Sequence, residues 1–396
     1  MTDQHPVKQC DPHAGYHAWW VEIDAAVIET LQRDRYLMGK ELRLFEQEFS
    51  QWQECEHTVG VANGTDALLL SLMALDIKPG SAVLTPSMTA VATVNAIVRS
   101  GAIPVFVDVN EETGTICPHS LEETLKRLRR RSFGLKPAAM VVVHLYGLAA
   151  EMSRLCVLSE EYSLPIIEDA AQAHGARYRD KRVGTFGKLA AFSFYPTKNL
   201  AALGDAGAVT TDDLRLAERV RALRQYGWDE QRQSHEVGVN SRLDELQATI
   251  LRIKLRHINQ ETRRRRKIAQ HYNHALLSTS IEPMEVLANS KPVYHQYVVR
   301  TPQRESLRQH LEKQQIQTAV HYPLAVHQHP VYQKRYDQLL HQKLIEPLVR
   351  TEKLAEQVLS LPMYPQLSDG EIERVTHACR EWSTLRGGTE QGSTEK

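Results

Sequence analysis

An amine, a carboxylate, an amide and an anion-ready helix start stand in this sequence where a single ligand would need them. Lys198 lies in Ala191-Phe-Ser-Phe-Tyr-Pro-Thr-Lys-Asn-Leu200, and Asp169 closes the apolar run Leu164-Pro-Ile-Ile-Glu-Asp169. Gln172 follows by one short turn, and Gly64-Thr65 opens a helical stretch just after residues 57–62. A lysine amine condenses with an aldehyde to a Schiff base. A carboxylate beside a ring nitrogen keeps that nitrogen protonated, because opposite charges at contact distance favour the ionised pair. A helix N-terminus binds phosphate through free N–H groups and its dipole. Gly64 lets the backbone come close, Thr65 adds a hydroxyl, and Ser193, just upstream of Lys198, adds another. The Gln172 amide is a donor suited to a phenolic oxygen. Aldehyde, ring nitrogen, phosphate and phenol together describe pyridoxal 5'-phosphate, whose ring serves as an electron sink.

Taken singly, each residue has a plainer role. A lysine after Pro-Thr usually faces solvent. An Asp at a strand end, or Gly-Thr-Asp before Ala-Leu-Leu-Leu, usually caps a turn or helix. Ser193 within Phe-Ser-Phe fits a satisfied strand hydroxyl. Their order decides between the readings, since all fall at the carboxyl ends of predicted strands, where open α/β sheets bind ligands.

The strands expected to carry them span residues 57–62, 82–85, 104–109, 138–144, 164–168, 189–194 and 207–211. Most are short apolar runs without strict alternation, as for strands covered on both faces. Helices are expected at 65–75, 89–99, 121–131 and 152–162. The last two strands follow each other without a helix and are expected to form an antiparallel hairpin. The pattern is an α/β layered domain. Residues 1–12 read as a flexible arm, 13–254 as a large cofactor-binding domain, 255–386 as a smaller C-terminal α/β domain, and 387–396 as a disordered polar tail. Residues 22–53 read as helical with an interruption at 36–39. Residues 243–276 read as one long helix with a break near Asn259, 294–300 as strand, and 304–314 and 351–360 as helices.

The 396 residues include 48 Lys and Arg balanced by 48 Asp and Glu. The length suits two domains and a large core, and zero net charge supplies no field to draw nucleic acid or membrane. The 5 cysteines, Cys10, Cys55, Cys117, Cys156 and Cys379, form no Cys-x-x-Cys pair and are odd in number. That fits reduced thiols in a cytoplasmic protein. The opening Met-Thr-Asp-Gln-His-Pro lacks the charged and apolar regions of a signal peptide, and no apolar run is long enough to span a bilayer. Basic runs at 126–131 and 263–267 read as solvated helix faces. His271-x-x-His274 lacks the glutamate of a zincin motif, and His321, His327 and His329 suit substrate contact better than metal.

The chain resembles the fold-type I pyridoxal-phosphate aminotransferases that act on nucleotide-linked keto-sugars, the DegT-like group, over residues 36–365. The resemblance rests on Val61-Ala-Asn-Gly-Thr-Asp-Ala-Leu68, Thr85-Pro-Ser-Met-Thr-Ala-Val-Ala-Thr93, Ile167-Glu-Asp-Ala-Ala-Gln172 and Phe192-Ser-Phe-Tyr-Pro-Thr-Lys-Asn-Leu200. Gly238-Val-Asn-Ser-Arg-Leu-Asp-Glu-Leu-Gln247, His321-Tyr-Pro-Leu-Ala-Val-His327 and Leu361-Pro-Met-Tyr-Pro365 add to it. It implies a large domain with a mostly parallel seven-stranded sheet between helices, followed by a smaller α/β domain. Lys198 would be the Schiff-base lysine and proton shuttle, Asp169 the partner of the ring nitrogen, and Gln172 a contact to the phenolic oxygen. Gly64, Thr65 and Ser193 would hold the phosphate, and Ala171 would pack on the ring. Tyr322 and His327 match positions that line the sugar-nucleotide pocket. Asn240 would reach the phosphate of a neighbouring subunit, which implies a homodimer with shared active sites; its plainer role is to cap a helix beginning near Arg242.

Ala90 stands where the group usually carries an aromatic residue that stacks on the cofactor. Such stacking is worth about 0.5–1.5 kcal/mol, and Met88 would compensate in part through a sulfur–ring contact. Some relatives carry histidine in place of the lysine and dehydrate sugars; Lys198 points to amine transfer. The implied reaction is ping-pong, with L-glutamate as donor and a keto-sugar nucleotide, a dTDP-linked 3-keto or 4-keto 6-deoxyhexose, as acceptor. A keto-cyclitol aminotransferase and a cofactor-binding regulatory protein without turnover are the rival readings.

Overall fold

Alternate residues of the apolar runs feed two different cores, and this builds the central sheet. The computed structural model describes residues 5–130 and 135–390, with side chains to residue 385. Strands β1 (His57–Val61), β2 (Ala82–Pro86), β3 (Ile103–Val107), β4 (Pro137–Val143), β5 (Ile166–Asp169), β6 (Leu189–Ser193) and β7 (Gly207–Thr211) pair in the order β1-β7-β6-β5-β4-β2-β3. Strands β2 to β6 are mutually parallel where they pair. Strand β7 is antiparallel to both neighbours, β6 and β1, so the expected hairpin forms. Leu84, Met140, Val142, Ala190 and Phe192 enter one core, while Val83, Val141, Ile167, Leu189 and Ala191 enter the other. With both faces covered, the strands read as continuous apolar runs.

Helices supply the two covers. They are α2 (Lys40–Gln53), α3 (Gly64–Ala74), α4 (Val91–Arg99), α5 (Pro118–Arg130), α6 (Met152–Tyr162) and α7 (Leu214–Leu223), while α1 (Trp20–Leu31) lies outside both covers, its Ile23 packing with Ile250 and Ile253. Leu70 of α3, Ile97 of α4 and Val220 of α7 share one core. Phe45 of α2, Leu121 of α5 and Leu155 of α6 share the other.

Helix α8 (Glu245–Leu276) joins this sheet to a second core. It runs through Asn259, where a break was expected. The Asn259 amide oxygen accepts from Trp52 Nε1 at 3.2 Å and does not compete for the helix backbone. Leu251 and Leu255 pack under the large sheet, whereas Ile268, Tyr272 and Leu276 belong to the second core. The expected domain boundary at residue 255 therefore falls inside one helix. The second core packs on an antiparallel sheet of β8 (Glu282–Pro283), β9 (Tyr297–Arg300) and β10 (Val358–Leu361), with α9 (Arg304–Lys313).

Four stretches differ from expectation. Residues 325–348, assigned to the small domain, return to the large one. There α10 (Pro330–His341) brings Tyr332, Tyr336 and Leu339 against Phe106 of β3. Residues 358–360, read as helix, are strand: α11 (Val349–Gln357) ends where Val358 begins to pair with Arg300. Residues 1–4 of the expected arm lie outside the described residues, and the part from residue 5 is held at Val7. Val7 is fully buried, its N–H donates to Gln315 O at 2.8 Å, and its carbonyl accepts from Gln317 N at 2.9 Å. The last helix, α12 (Asp369–Glu390), continues past residue 386, and residues 391–396 of the expected tail lie outside the described residues.

Residues of the basic runs make bonds within the chain, Arg265 buried and Lys126 on a partly exposed helix face. Arg264 pairs with Asp369, Arg265 Nη1 donates to the carbonyls of Tyr294 and Met363, and Lys126 pairs with Glu122 and Glu123. Among the described residues no helix is long and apolar enough to cross a membrane.

Candidate active site

The expected phosphate ligands converge at the start of α3. Asn63 caps that helix: its Oδ1 accepts the Asp66 N–H at 2.8 Å, and its carbonyl accepts the Ala67 N–H at 3.0 Å. The Gly64 and Thr65 amides, in the first turn, have no intrahelical acceptor. Two glycines make the approach close. A Cβ on Gly64 would lie 2.6 Å from Ser193 Cβ, and one on Gly207 would lie 2.4 Å from the Asn63 carbonyl carbon. Ser193, at the end of β6, thus sits against the helix start.

At the end of β5, Asp169 is 6% exposed. Its Oδ2 accepts from Thr93 Oγ1 at 2.8 Å, and its Oδ1 accepts from the Ala171 N–H at 3.2 Å. Burial pushes its carboxyl up, while Thr93, the Ala171 amide and the Lys198 charge pull the other way. The adjacent Glu168 accepts the N–H groups of Gly184, Phe186 and Gly187 at 2.7, 2.6 and 2.6 Å. His144 Nδ1 accepts from Ala150 N at 3.1 Å, so its Nε2 carries the hydrogen and donates to Glu168 at 3.0 Å. These bonds fix the strand end that presents Asp169.

Lys198 lies on the β6–β7 connection. Its N–H donates to Tyr195 O, and Ala202 N donates to Phe194 O, both at 2.8 Å. Asn199 Nδ2 anchors the loop to Val293 O at 3.0 Å. Burial lowers the Lys198 amine to about 8, against the pull of Asp169. Around it, burial also lowers His174 to about 3 and His321 to about 4, so both are neutral near pH 7.

Gln172 is 7% exposed and bonded at both ends: Oε1 accepts from Tyr146 N at 2.7 Å, and Nε2 donates to the Tyr322 hydroxyl at 3.0 Å. Tyr322 is thereby brought beside the cofactor groups. His327 is not. It is 2% exposed, and both ring nitrogens are committed, Nδ1 to Ser87 Oγ at 2.8 Å and Nε2 to Glu352 Oε1 at 3.0 Å. Its ring fastens the 320s segment to the end of β2 and to α11, which leaves no nitrogen for a sugar. Ala90 is the N-cap residue of α4, one turn from Thr93, and both Ala90 and Ala171 are half-buried. Met88 is fully buried in a cluster with Val143 and Tyr146. Asn240 is exposed, and α8 starts at Glu245, so Asn240 does not cap that helix.

Sequence reasoning missed Thr93 and Tyr146. Thr93 lay in a quoted motif, four residues after Thr89, with which it shares a 2.8 Å hydroxyl contact. Tyr146 acts mainly through its backbone, which leaves no signal in residue type.

The donor set fits pyridoxal phosphate. Asp169 is a buried carboxylate, 6% exposed, whose protein partners are uncharged donors, as a ring N–H⁺ requires. The helix start and Ser193 suit a phosphate, one Gln172 hydrogen suits a phenolic oxygen, and Lys198 is an amine depressed toward neutrality.

Known proteins carry the same pattern. That of the DegT/DnrJ/EryC1/StrS aminotransferase family matches residues 20–380. A dTDP-3-amino-3,4,6-trideoxy-alpha-D-glucose transaminase of Streptomyces venezuelae is 44% identical over 375 residues, 94% of this chain and 95% of that protein. The solved structure of S. venezuelae DesV in complex with a ketimine intermediate matches with TM-score 0.89 and 42% identity, covering 96% of this chain and 99% of that one. Bacillus subtilis ntda, solved with bound cofactor pmp, matches with TM-score 0.84 and 26% identity, covering 97% of this chain and 87% of that one. Family pattern, end-to-end identity and a site built for the cofactor agree: the chain belongs to the DegT/DnrJ/EryC1/StrS aminotransferase family and is a pyridoxal-phosphate-dependent transaminase.

Proposed function

We propose that this transaminase moves an amino group from L-glutamate to a nucleotide-linked keto-deoxyhexose, a dTDP-linked 3-keto sugar first among candidates. The observation that carries the acceptor is the 44% identity, over nearly the whole of both chains, with a transaminase named for a dTDP-3-amino sugar.

Bound pyridoxal phosphate supplies the electron sink that makes the donor's α-proton acidic. Asp169, screened from water, keeps the ring nitrogen protonated. The Gly64 and Thr65 amides and Ser193 hold the phosphate, and Gln172 holds the phenolic oxygen. Lys198 Nζ, near neutrality at about 8, would take the proton from the donor's α-carbon and deliver it to the cofactor's C4′ carbon. Ala90, a methyl on the turn before Thr93, would leave room for a bulky sugar beside the ring, and Tyr322, whose hydroxyl accepts from Gln172, would be its contact.

The working form is a cytoplasmic homodimer. Free cysteines suit a reducing compartment. On α1, Val21, Ile28 and Leu31 are exposed at helical spacing, forming an apolar face that a second copy would cover. Asn240, exposed on its loop, is free to complete the partner's phosphate site.

The test is single-turnover loss of the aminated cofactor's absorbance after loading with glutamate. Reaction is expected with dTDP-linked keto-deoxyhexoses. Rapid reaction with pyruvate or oxaloacetate, beside none with any keto-sugar nucleotide, would overturn the acceptor assignment; fast turnover of a keto-cyclitol would replace it.

A further inference from the structure

The Gln172 amide is clamped from both sides. The Tyr146 N–H donates to its oxygen at 2.7 Å, and its nitrogen donates to the Tyr322 hydroxyl at 3.0 Å. A primary amide has one acceptor end and two N–H donors. Tyr146 therefore settles which end is oxygen, and Tyr322 takes one of the two hydrogens. The other is left for the cofactor. Both clamps are built into the fold. Tyr146 holds φ 61°, a left-handed conformation that bulky residues rarely adopt. In the adjoining Gly147, also left-handed, a Cβ would lie 2.9 Å from His295 N and 3.1 Å from Gln172 O. Tyr322 follows His321, whose ring bonds Ser360 Oγ on β10 at 2.8 Å and whose carbonyl accepts from the Tyr146 hydroxyl. The amide is thus gripped between a turn after β4 of the large sheet and a segment anchored to the small one.

We propose that Tyr322 is a positioning residue acting through Gln172: by fixing the amide it keeps one N–H directed at the cofactor's phenolic oxygen and holds that oxygen ionised. This rests on Lys198 and Gln172 binding the cofactor as described above. A hydrogen bond donated to a phenolate favours the charged form. Burial pushes the Tyr322 hydroxyl itself up to about 12, so it stays protonated at working pH. The other titratable groups facing this network are Asp169, Lys198, His144, His174, His295 and His321.

Absorbance titration of the holoenzyme tests the proposal. Tyr322→Phe keeps the ring and removes the hydroxyl; the midpoint of the cofactor's titration should rise by about 0.5 to 1 pH unit. Gln172→Ala should raise it at least as far, and the double variant should add nothing to Gln172→Ala. Tyr146→Phe, which releases the His321 carbonyl, is the second probe, with a smaller rise expected. Midpoints unmoved in both tyrosine variants, whatever their melting temperatures, would overturn the proposal, as would fully additive shifts in the double variant. Failure of the underlying site assignment looks different: wild-type protein would then show no cofactor fixed to Lys198 by borohydride and no titration to compare.

Discussion

Asp169 depends on Thr93 for one of its bonds, and a hydrogen bond to a charged group is worth about 1.5–3 kcal/mol. Thr93→Val should therefore weaken binding of pyridoxal phosphate by about tenfold or more, read by equilibrium titration of the cofactor-free protein. An unchanged affinity would mean that Asp169 does not pair with the ring. Lys198 makes a pH prediction with a definite sign. Its amine is lowered from the usual 10.5 to about 8, and only the neutral amine attacks the aldehyde. The rate of cofactor attachment should thus rise with pH and reach half its plateau near 8; a midpoint near 10.5 would contradict a buried Lys198. Lys198, Asp169 and Gln172 were legible in the sequence because their chemistry is carried by residue type at strand ends. Thr93 was less so, since a threonine in an amphipathic helix looks like any other. His327 misled for the same reason: its residue type suits a sugar, but only the fold shows Ser87 and Glu352 already holding both nitrogens.

Among elements, the meeting of α3 with β7 matters most for the phosphate. A Cβ on Gly207 would press on the Asn63 backbone at 2.4 Å, and backbone cannot swing aside as a side chain can. Gly207→Ala should displace the start of α3, lower stability by about 1–3 kcal/mol and weaken cofactor binding. Denaturant unfolding and cofactor titration measure the two effects. Gly370, in α12 with nothing within 4 Å of its would-be Cβ, is the control, and Gly370→Ala should be neutral or stabilising. The β-strand pattern and the β6–β7 hairpin were readable from short apolar runs and a missing helix. The strand at 358–361 was not, because Val-Leu-Ser-Leu becomes strand only through pairing with Tyr297–Arg300 across the small domain. The return of 325–348 to the large core was hidden likewise: Tyr332, Tyr336 and Leu339 mark an apolar face but do not say which core it meets.

At the scale of the whole molecule, one chain leaves Asn240 exposed and an apolar face on α1 uncovered. If partners share their sites, Lys198→Ala and Asn240→Ala chains mixed in one population should regain activity, because half of their mixed dimers' sites are intact. Native mass spectrometry establishes that mixed dimers form; no activity above either parent in their presence would contradict shared sites. A boundary was expected at residue 255, where a core under the large sheet and the core of the small sheet are joined by one unbroken helix. Helix α8 belongs to both cores, so no composition shift marks a boundary there. All scales meet in one proposal, that Lys198 moves the protons by which the bound cofactor passes nitrogen from an amino acid to a sugar. The most direct measurement is isotopic. Enzyme is supplied with 15N-labelled L-glutamate and a dTDP-linked 3-keto-6-deoxyhexose, and the sugar nucleotide is recovered for mass and nitrogen NMR analysis. The account predicts 15N in a new amine on the sugar, formed by wild type and abolished in Lys198→Ala. Label that remains in glutamate, or a labelled sugar made equally well by Lys198→Ala, would contradict it.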